Sequence, residues 1–157
     1  MLQLILKRKD IDFIKLLDVY QDNTEKSGSW EAQFRAENRF REDLDNFFVT
    51  KDAFYALWVL EGCYVAALRA EPYKDGYLIA GLQTAAHARG KGYATNLLNE
   101  VVSYLKREGN FPVYSHVDKR NQPSLAVHKK CGFQVLYDYG VYLDGSVFLT
   151  SYTLVLK

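Results

Sequence analysis

The residues best suited to chemistry are Arg89-Gly90-Lys91-Gly92-Tyr93-Ala94, where glycines and cations alternate just before a strongly amphipathic stretch. The start of a helix carries unpaired N–H groups and a partial positive charge, so a helix opening here presents an anion site. Gly90 and Gly92 let backbone approach a phosphate closely, and Arg89 and Lys91 add positive charge at the rim. A plain glycine turn with solvated cations has the same residues. A P-loop does not fit, because Ala85 stands five residues before Gly90 and Gly92 follows Lys91. A dinucleotide fingerprint does not fit either. Its third position is Thr95, and although Asp118 stands where a ribose ligand would be wanted, too little chain follows for a doubly wound sheet.

A second group is Asn121, Ser124 and His128, spaced i, i+3 and i+7 and so on one face of a short helix. Val127 and Cys131 mark another face, expected to be the core one, which leaves the polar face free to look into a ligand cleft. His128 there is either a proton donor or a ring that only hydrogen-bonds a ligand or a water. Its reference pKa is about 6.5, and Lys129 and Lys130 would lower it if close.

Positioning these groups requires a particular order of elements. The pattern predicts a strand over 2–6, then a helix capped by Asp10 with Ile11, Ile14, Leu17 and Tyr20 on one side. A polar loop over 22–29 follows, and Ser29 caps a second helix whose apolar positions include Trp30, Phe34, Leu44, Phe47 and Phe48. Strands over 53–60, 63–70 and 77–84, joined by the short turns Glu61-Gly62 and Lys74-Asp75-Gly76, form an antiparallel meander. A long helix over 93–107 shows its apolar stripe at Ala94, Leu97, Leu98, Val101, Val102 and Leu105, and Gly109 stops it. After a strand over 113–117 comes a short helix over 124–131 with Pro123 in its first turn. Two strands over 133–142 and 147–156 close the chain. The fold class is α+β: a mixed, mostly antiparallel sheet of about seven strands flanked by four helices, in the order β-α-α-β-β-β-α-β-α-β-β. Its one parallel step spans residues 77–117.

The 157 residues suit one domain over 1–157, and 48% hydrophobic with 25% charged residues excludes wholesale disorder. A net charge of +1 without a basic stripe points away from nucleic acid. No apolar run approaches the roughly 18 residues of a membrane helix. Lys7, Arg8 and Lys9 follow the first apolar patch, the reverse of a secretory signal, so a cytoplasmic protein is expected. Cys63 and Cys131 are too few for a disulfide framework and lack zinc spacing; they read as small core residues with reduced thiols, and no metal is expected.

Arg89-x-x-Gly92-x-Ala94 matches the R/Q-x-x-G-x-G/A signature and resembles the GNAT superfamily of acetyl-CoA-dependent N-acetyltransferases. The run from Asn121 to Phe133 is similar to the family's N-x-x-S/A…Y-x-x-x-G-F segment, with His128 where the pattern often has tyrosine. The element order resembles the family core over essentially the whole chain. The resemblance implies direct acetyl transfer from acetyl-CoA to a small-molecule or peptide amine. It places the pyrophosphate of coenzyme A on the amides of Arg89, Gly90, Lys91, Gly92, Tyr93 and Ala94. The pantetheine arm then runs between Leu82-Gln83-Thr84 and Ser115-His116-Val117, with Asn121 and Ser124 beside the cofactor and His128 protonating the leaving thiolate. It also implies an acceptor site walled by residues 22–34 and 137–146. Asp22, Glu25, Asp138 and Asp144 there would attract an amine, and Trp30, Phe34, Tyr139 and Tyr142 would line an apolar pocket. A homodimer through the last strands is possible by the same resemblance. Many relatives carry a glutamate base on the fourth strand, but 77–84 contains no acid. His116, Asp118 or a water chain remain for that role, and His87 has none. The missing glutamate and the histidine in place of tyrosine leave a second reading open, a non-catalytic acetyl-CoA-binding regulatory module.

Overall fold

Strand β1 (Leu2–Ile5) leads into helix α1 (Phe13–Val19), and helix α2 spans Trp30–Phe47. The meander is β2 (Phe54–Leu60), β3 (Cys63–Tyr73) and β4 (Gly76–Thr84), followed by helix α3 (Tyr93–Gly109) and strand β5 (Val113–Asp118). Helix α4 (Gln122–Lys130) precedes β6 (Gln134–Tyr137), a small hairpin of β7 (Gly140–Val141) and β8 (Val147–Phe148), and the last strand β9 (Ser151–Leu156). This computed structural model describes residues 1–21 and 29–157. The loop expected over 22–29 therefore falls almost wholly outside the described residues.

Seven strands form one sheet in the order β1-β2-β3-β4-β5-β9-β6. Its single parallel pairing is β4 with β5, as a strand–helix–strand crossover requires. Both faces are covered. On one, Leu97, Leu98, Val101 and Leu105 of α3 pack on Ile79, Val113, Val117 and Leu154. On the other, Phe13, Leu16 and Val19 of α1 and Leu44 and Phe47 of α2 pack on Tyr55, Leu57, Tyr64 and Ala67. Each such buried side chain contributes roughly 1.5–3 kcal/mol, so the two layers hold the sheet rigidly between them.

Several expectations change in detail. Asp12, not Asp10, caps α1 by accepting from the Lys15 amide, and Asp10 lies in a preceding 3-10 turn. The helix thereby turns Phe13, Leu16 and Val19 inward, and Ile14 is exposed. Ser29 does cap α2, accepting from the Ala32 amide. Trp30 and Phe34 at its start are exposed and stack on each other instead of entering the core. The long strand expected over 133–142 is interrupted after Tyr137, because Gly140–Val141 pairs with Val147–Phe148 in a separate hairpin. Cys63 opens β3 directly after the turn and is exposed, while Cys131 is partly buried; both thiols are free. Among the described residues no helix is long and apolar enough to cross a membrane.

The feature that makes room for a site is a fault in the sheet. β4 and β5 pair only through Tyr77↔Val113, Leu78↔Tyr114 and Ile79↔Ser115. Just beyond, β4 carries a bulge: Arg69 faces Ala80, but Ala67 faces Gln83, so β4 has the extra residue. Gly81 takes φ +65° in that bulge, a conformation glycine adopts without strain. The hydroxyl of Tyr20, the C-cap of α1, donates to the Gly81 carbonyl and fixes the bend. A cavity consequently opens between the ends of the two strands.

Candidate active site

The signature loop and the first turn of α3 form one wall of a cavity of about 560 Å³. Gly92 is the N-cap of α3, at φ +83°, with no side-chain cap bond. A side chain added there would meet nothing within 4 Å, and the same holds at Gly90. The space in front of the first-turn amides is thus open, and those donors face a volume an anion would fill. Leu82, Gln83, Thr84, Arg89, Gly90, Gly92, Tyr93, Ala94, Asn121 and Ser124 all line this cavity. Lys91 is exposed and is not among the lining residues. Arg89 also donates from Nε to the Thr84 carbonyl at 3.2 Å, so it ties the loop to the end of β4.

A smaller cavity of about 150 Å³ adjoins the first in the splay of β4 and β5. Leu82, Asn121 and Ser124 line both. Asn121, Ser124 and His128 all line the smaller one, as their spacing predicts, and Val127 and Cys131 pack against the core while staying partly exposed. His128 is the fully buried residue of that helix, at 1% exposure, while Val127 is partly buried and lines the larger cavity. The reason lies in the start of the helix. Asn121 is the N-cap, its side chain accepting from the Ser124 amide, and the helical phase counted from Ser124 turns His128 down onto β5.

His128 Nδ1 lies 2.8 Å from the Ser124 carbonyl oxygen, which can only accept, so Nδ1 carries the hydrogen. Nε2 then accepts from the Ser115 hydroxyl at 2.9 Å. The ring stands edge-on to Phe133. Burial pushes the His128 pKa below the usual histidine value, opposed by the bond to Ser124. Lys129 and Lys130 are exposed and play no part in that shift. Ser115 is 2% exposed and comes from an alternation that sequence displays, Val113-x-Ser115-x-Val117, a lone hydroxyl on an otherwise apolar face.

On the opposite side of β5, His116 lies against Tyr73 and Phe148, while Asp118 is clasped by Arg120. Of the acids expected to draw an amine, Asp138 pairs with Lys119 at 2.9 Å and Asp144 accepts from Ser146. Asp22 and Glu25 lie outside the described residues. Tyr139 stacks on Tyr137, and Tyr142 packs on Phe148. His87 is exposed in the 3-10 turn Ala86–Ala88.

A sequence model of the acetyltransferase (GNAT) family matches residues 14–133. The chain belongs to this family. A plant relative, GCN5-related N-acetyltransferase 6, chloroplastic, from Arabidopsis thaliana, is 36% identical over 80 residues, which is 50% of this chain and 27% of that protein. The chain therefore spans about a quarter of that relative's length. Among solved structures, the PaiA N-acetyltransferase of Thermoplasma acidophilum in complex with coenzyme A superposes with TM-score 0.72 at 14% identity, covering 100% of this chain and 99% of that one. The ribosomal-protein-S18-alanine N-acetyltransferase of Escherichia coli gives 0.65 at 15% identity, covering 99% and 93%. At such identities the likeness shows a shared GNAT fold. The cofactor of the family is acetyl-CoA, and the open amide cradle at Gly92, adjoining a cavity in the splay, fits it.

His128, which is buried, and His116, which is half-buried, are expected to make the fold acid-sensitive. The pKa values of His116 and His128 are both lowered by burial. Between the folded values and about 6.5 the unfolded chain binds more protons, so stability is full above about pH 6.5 and is lost as pH falls below it. Melting temperature measured from pH 8 to pH 5 is expected to fall on the acid side, and His128→Gln is expected to flatten that fall. An unchanged slope in the variant would contradict the buried neutral state.

Proposed function

We propose that the protein acetylates an amine acceptor by direct transfer from acetyl-CoA. The observation carrying this reading is that two adjoining cavities, one at the α3 amides and one in the splay, share Leu82, Asn121 and Ser124 as walls. The amides from Arg89 to Ala94 hold the pyrophosphate, and the side of β4 that β5 leaves unpaired at Leu82-Gln83-Thr84 lies along the pantetheine arm, which joins it like an added strand. Bound acetyl-CoA supplies an activated acetyl thioester. A backbone amide near Gln83 or Thr84 stabilises the oxyanion. In the resting ring Nε2 accepts from the Ser115 hydroxyl, so His128 supplies the thiolate's proton through that hydroxyl only after Nε2 has itself taken up a proton. An alkylamine at pH 7 is mostly protonated, and freeing its lone pair costs about 4–5 kcal/mol, so the acceptor side needs a base.

Thiol release tests the reading. Incubation with acetyl-CoA and a panel of primary amines is expected to liberate free CoA with at least one of them. Tight binding without turnover across a broad panel would instead support the non-catalytic module.

Arg89→Ala separates charge from tethering. If the guanidinium meets phosphate, the variant weakens coenzyme A several-fold more than dephospho-CoA or a truncated pantetheine thioester in calorimetric titrations. Equal losses for all three would make Arg89 a structural residue that ties the loop to Thr84.

A further inference from the structure

Three titratable groups line the cavity in the splay of β4 and β5: His116, Asp118 and His128. Asp118 is held by the amide, Nε and Nη2 of Arg120. Both nitrogens of His128 are engaged, by Ser124 and Ser115. His116 differs: its Nε2 is fully buried and has no hydrogen-bond partner among the described residues. Buried polar atoms are nearly always paired, so an orphan beside a ligand cavity calls for a partner that arrives with the ligand. β4, from Gly76 to Thr84, carries no acid.

The strand itself separates the chemistry. Ser115 and His116 are neighbours on β5 and point to opposite faces of the sheet. Ser115 meets His128 on the α4 side. On the other side His116 stands edge-on between Tyr73, with ring centroids 5.8 Å apart, and Phe148, at 5.1 Å. Tyr73 in turn donates to the Val141 carbonyl, so the β7–β8 hairpin is fastened over this face.

Resting on the acetyltransferase reading above, we propose that His116 is the general base on the acceptor side, with Nε2, closed off in the resting structure, taking a proton from the ammonium group of the incoming amine through a water admitted when the ring turns between Tyr73 and Phe148. The freed lone pair forms the C–N bond to the acetyl carbon as the C–S bond breaks. The nitrogen's second surplus proton leaves to water, the thiolate takes one proton from water by way of His128 and Ser115, and His116 returns its own to solvent. One proton is released per acetyl group moved.

The surroundings keep His116 in the accepting form. Burial lowers its pKa, and the Lys74 cation lowers it further. Lys74 sits over Tyr73, Tyr114 and Tyr137, so it adds charge without donating to the imidazole. Save Glu71 of β3, the other titratable groups on the elements around it are committed or phenolic. Asp118 is bound to Arg120, Asp138 to Lys119, and Asp75 accepts from Tyr114. Tyr137 and Tyr139 stack together, Tyr142 lies on Phe148, and Tyr20, the C-cap of α1, donates to Gly81. Thr153, opposite His116 on β9, does not titrate.

The test compares two nucleophiles in His116→Gln. With a primary alkylamine accepted by the wild type, kcat is expected to fall about 10²–10⁴-fold, and the residual rate to rise with pH toward the amine's own pKa. With hydroxylamine, which is unprotonated at neutral pH and needs no base, kcat should stay within a few-fold of wild type. The thermal shift produced by coenzyme A should be unchanged. Equal losses with both nucleophiles, or none with the alkylamine, would overturn the assignment. A wild type that binds coenzyme A but releases thiol with neither nucleophile would overturn the acetyltransferase reading first, and His116 with it. Should the variant fail to fold, NMR titration of the His116 ring in the wild type decides. A ring neutral at pH 7 supports the proposal, and one protonated there overturns it.

Discussion

Gly92→Val is expected to abolish the stabilisation that coenzyme A confers while leaving a folded protein. At about 100-fold excess over its dissociation constant a ligand adds roughly 2.7 kcal/mol. For a domain of this size that is a rise of roughly 5–10 °C in melting temperature. Valine acts in two ways. Gly92 sits at φ +83°, where a β-branched residue is strained, and a side chain there enters the open space before the α3 amides. Gly145 provides the control, since it has φ +87° and equally open surroundings in the turn before β8, away from the loop. Gly145→Val should incur similar backbone strain, roughly 1–3 kcal/mol, yet keep the full thermal shift with coenzyme A. A Gly92→Val protein that coenzyme A still protects would show the phosphate site to be elsewhere.

His128→Ala is expected to lower kcat by about 10²–10⁴-fold with little change in affinity for coenzyme A. Ser115→Ala should lose a comparable factor, because the proton reaches sulfur through that hydroxyl. Removing a ring that is 1% exposed also leaves a cavity, so thermal melts must accompany the kinetics. His128→Tyr offers a readout that packing alone would not move. Tyrosine has a reference pKa of about 10 against about 6.5, so partial activity with an acid-base profile displaced to higher pH is expected. Near-normal turnover in His128→Ala with a good acceptor would sink the assignment and turn attention to Ser124, the other hydroxyl lining the small cavity.

Local patterns exposed much of this site in the sequence. The glycines of 89–94 and the apolar stripe of α3 are short-range signals, and they placed the anion loop at a helix start where the structure has it. Turns at Glu61-Gly62 and before Gly76 marked the meander for the same reason. What sequence hid depends on contacts between distant segments. The bulge at Gly81 is held by a hydroxyl 61 residues earlier, and the order placing β9 between β5 and β6 is a tertiary choice. The shared face of Asn121, Ser124 and His128 is legible in their spacing, but the depth of His128 is not, because a histidine is buried only once distant Ser115 and nearby Ser124 satisfy it. Ser115 itself was readable as a polar break in an apolar alternation.

The most direct measurement follows the acetyl group. Acetyl-CoA labelled in the acetyl carbons is mixed with the protein and an accepted amine; label is counted in the amine product and on the protein by mass spectrometry, and released free CoA is counted separately. Direct transfer predicts one labelled acetamide for each CoA released and no label on the protein. Label retained on the protein, or coenzyme A bound and melting temperature raised with no labelled acetamide formed from any amine, would contradict it.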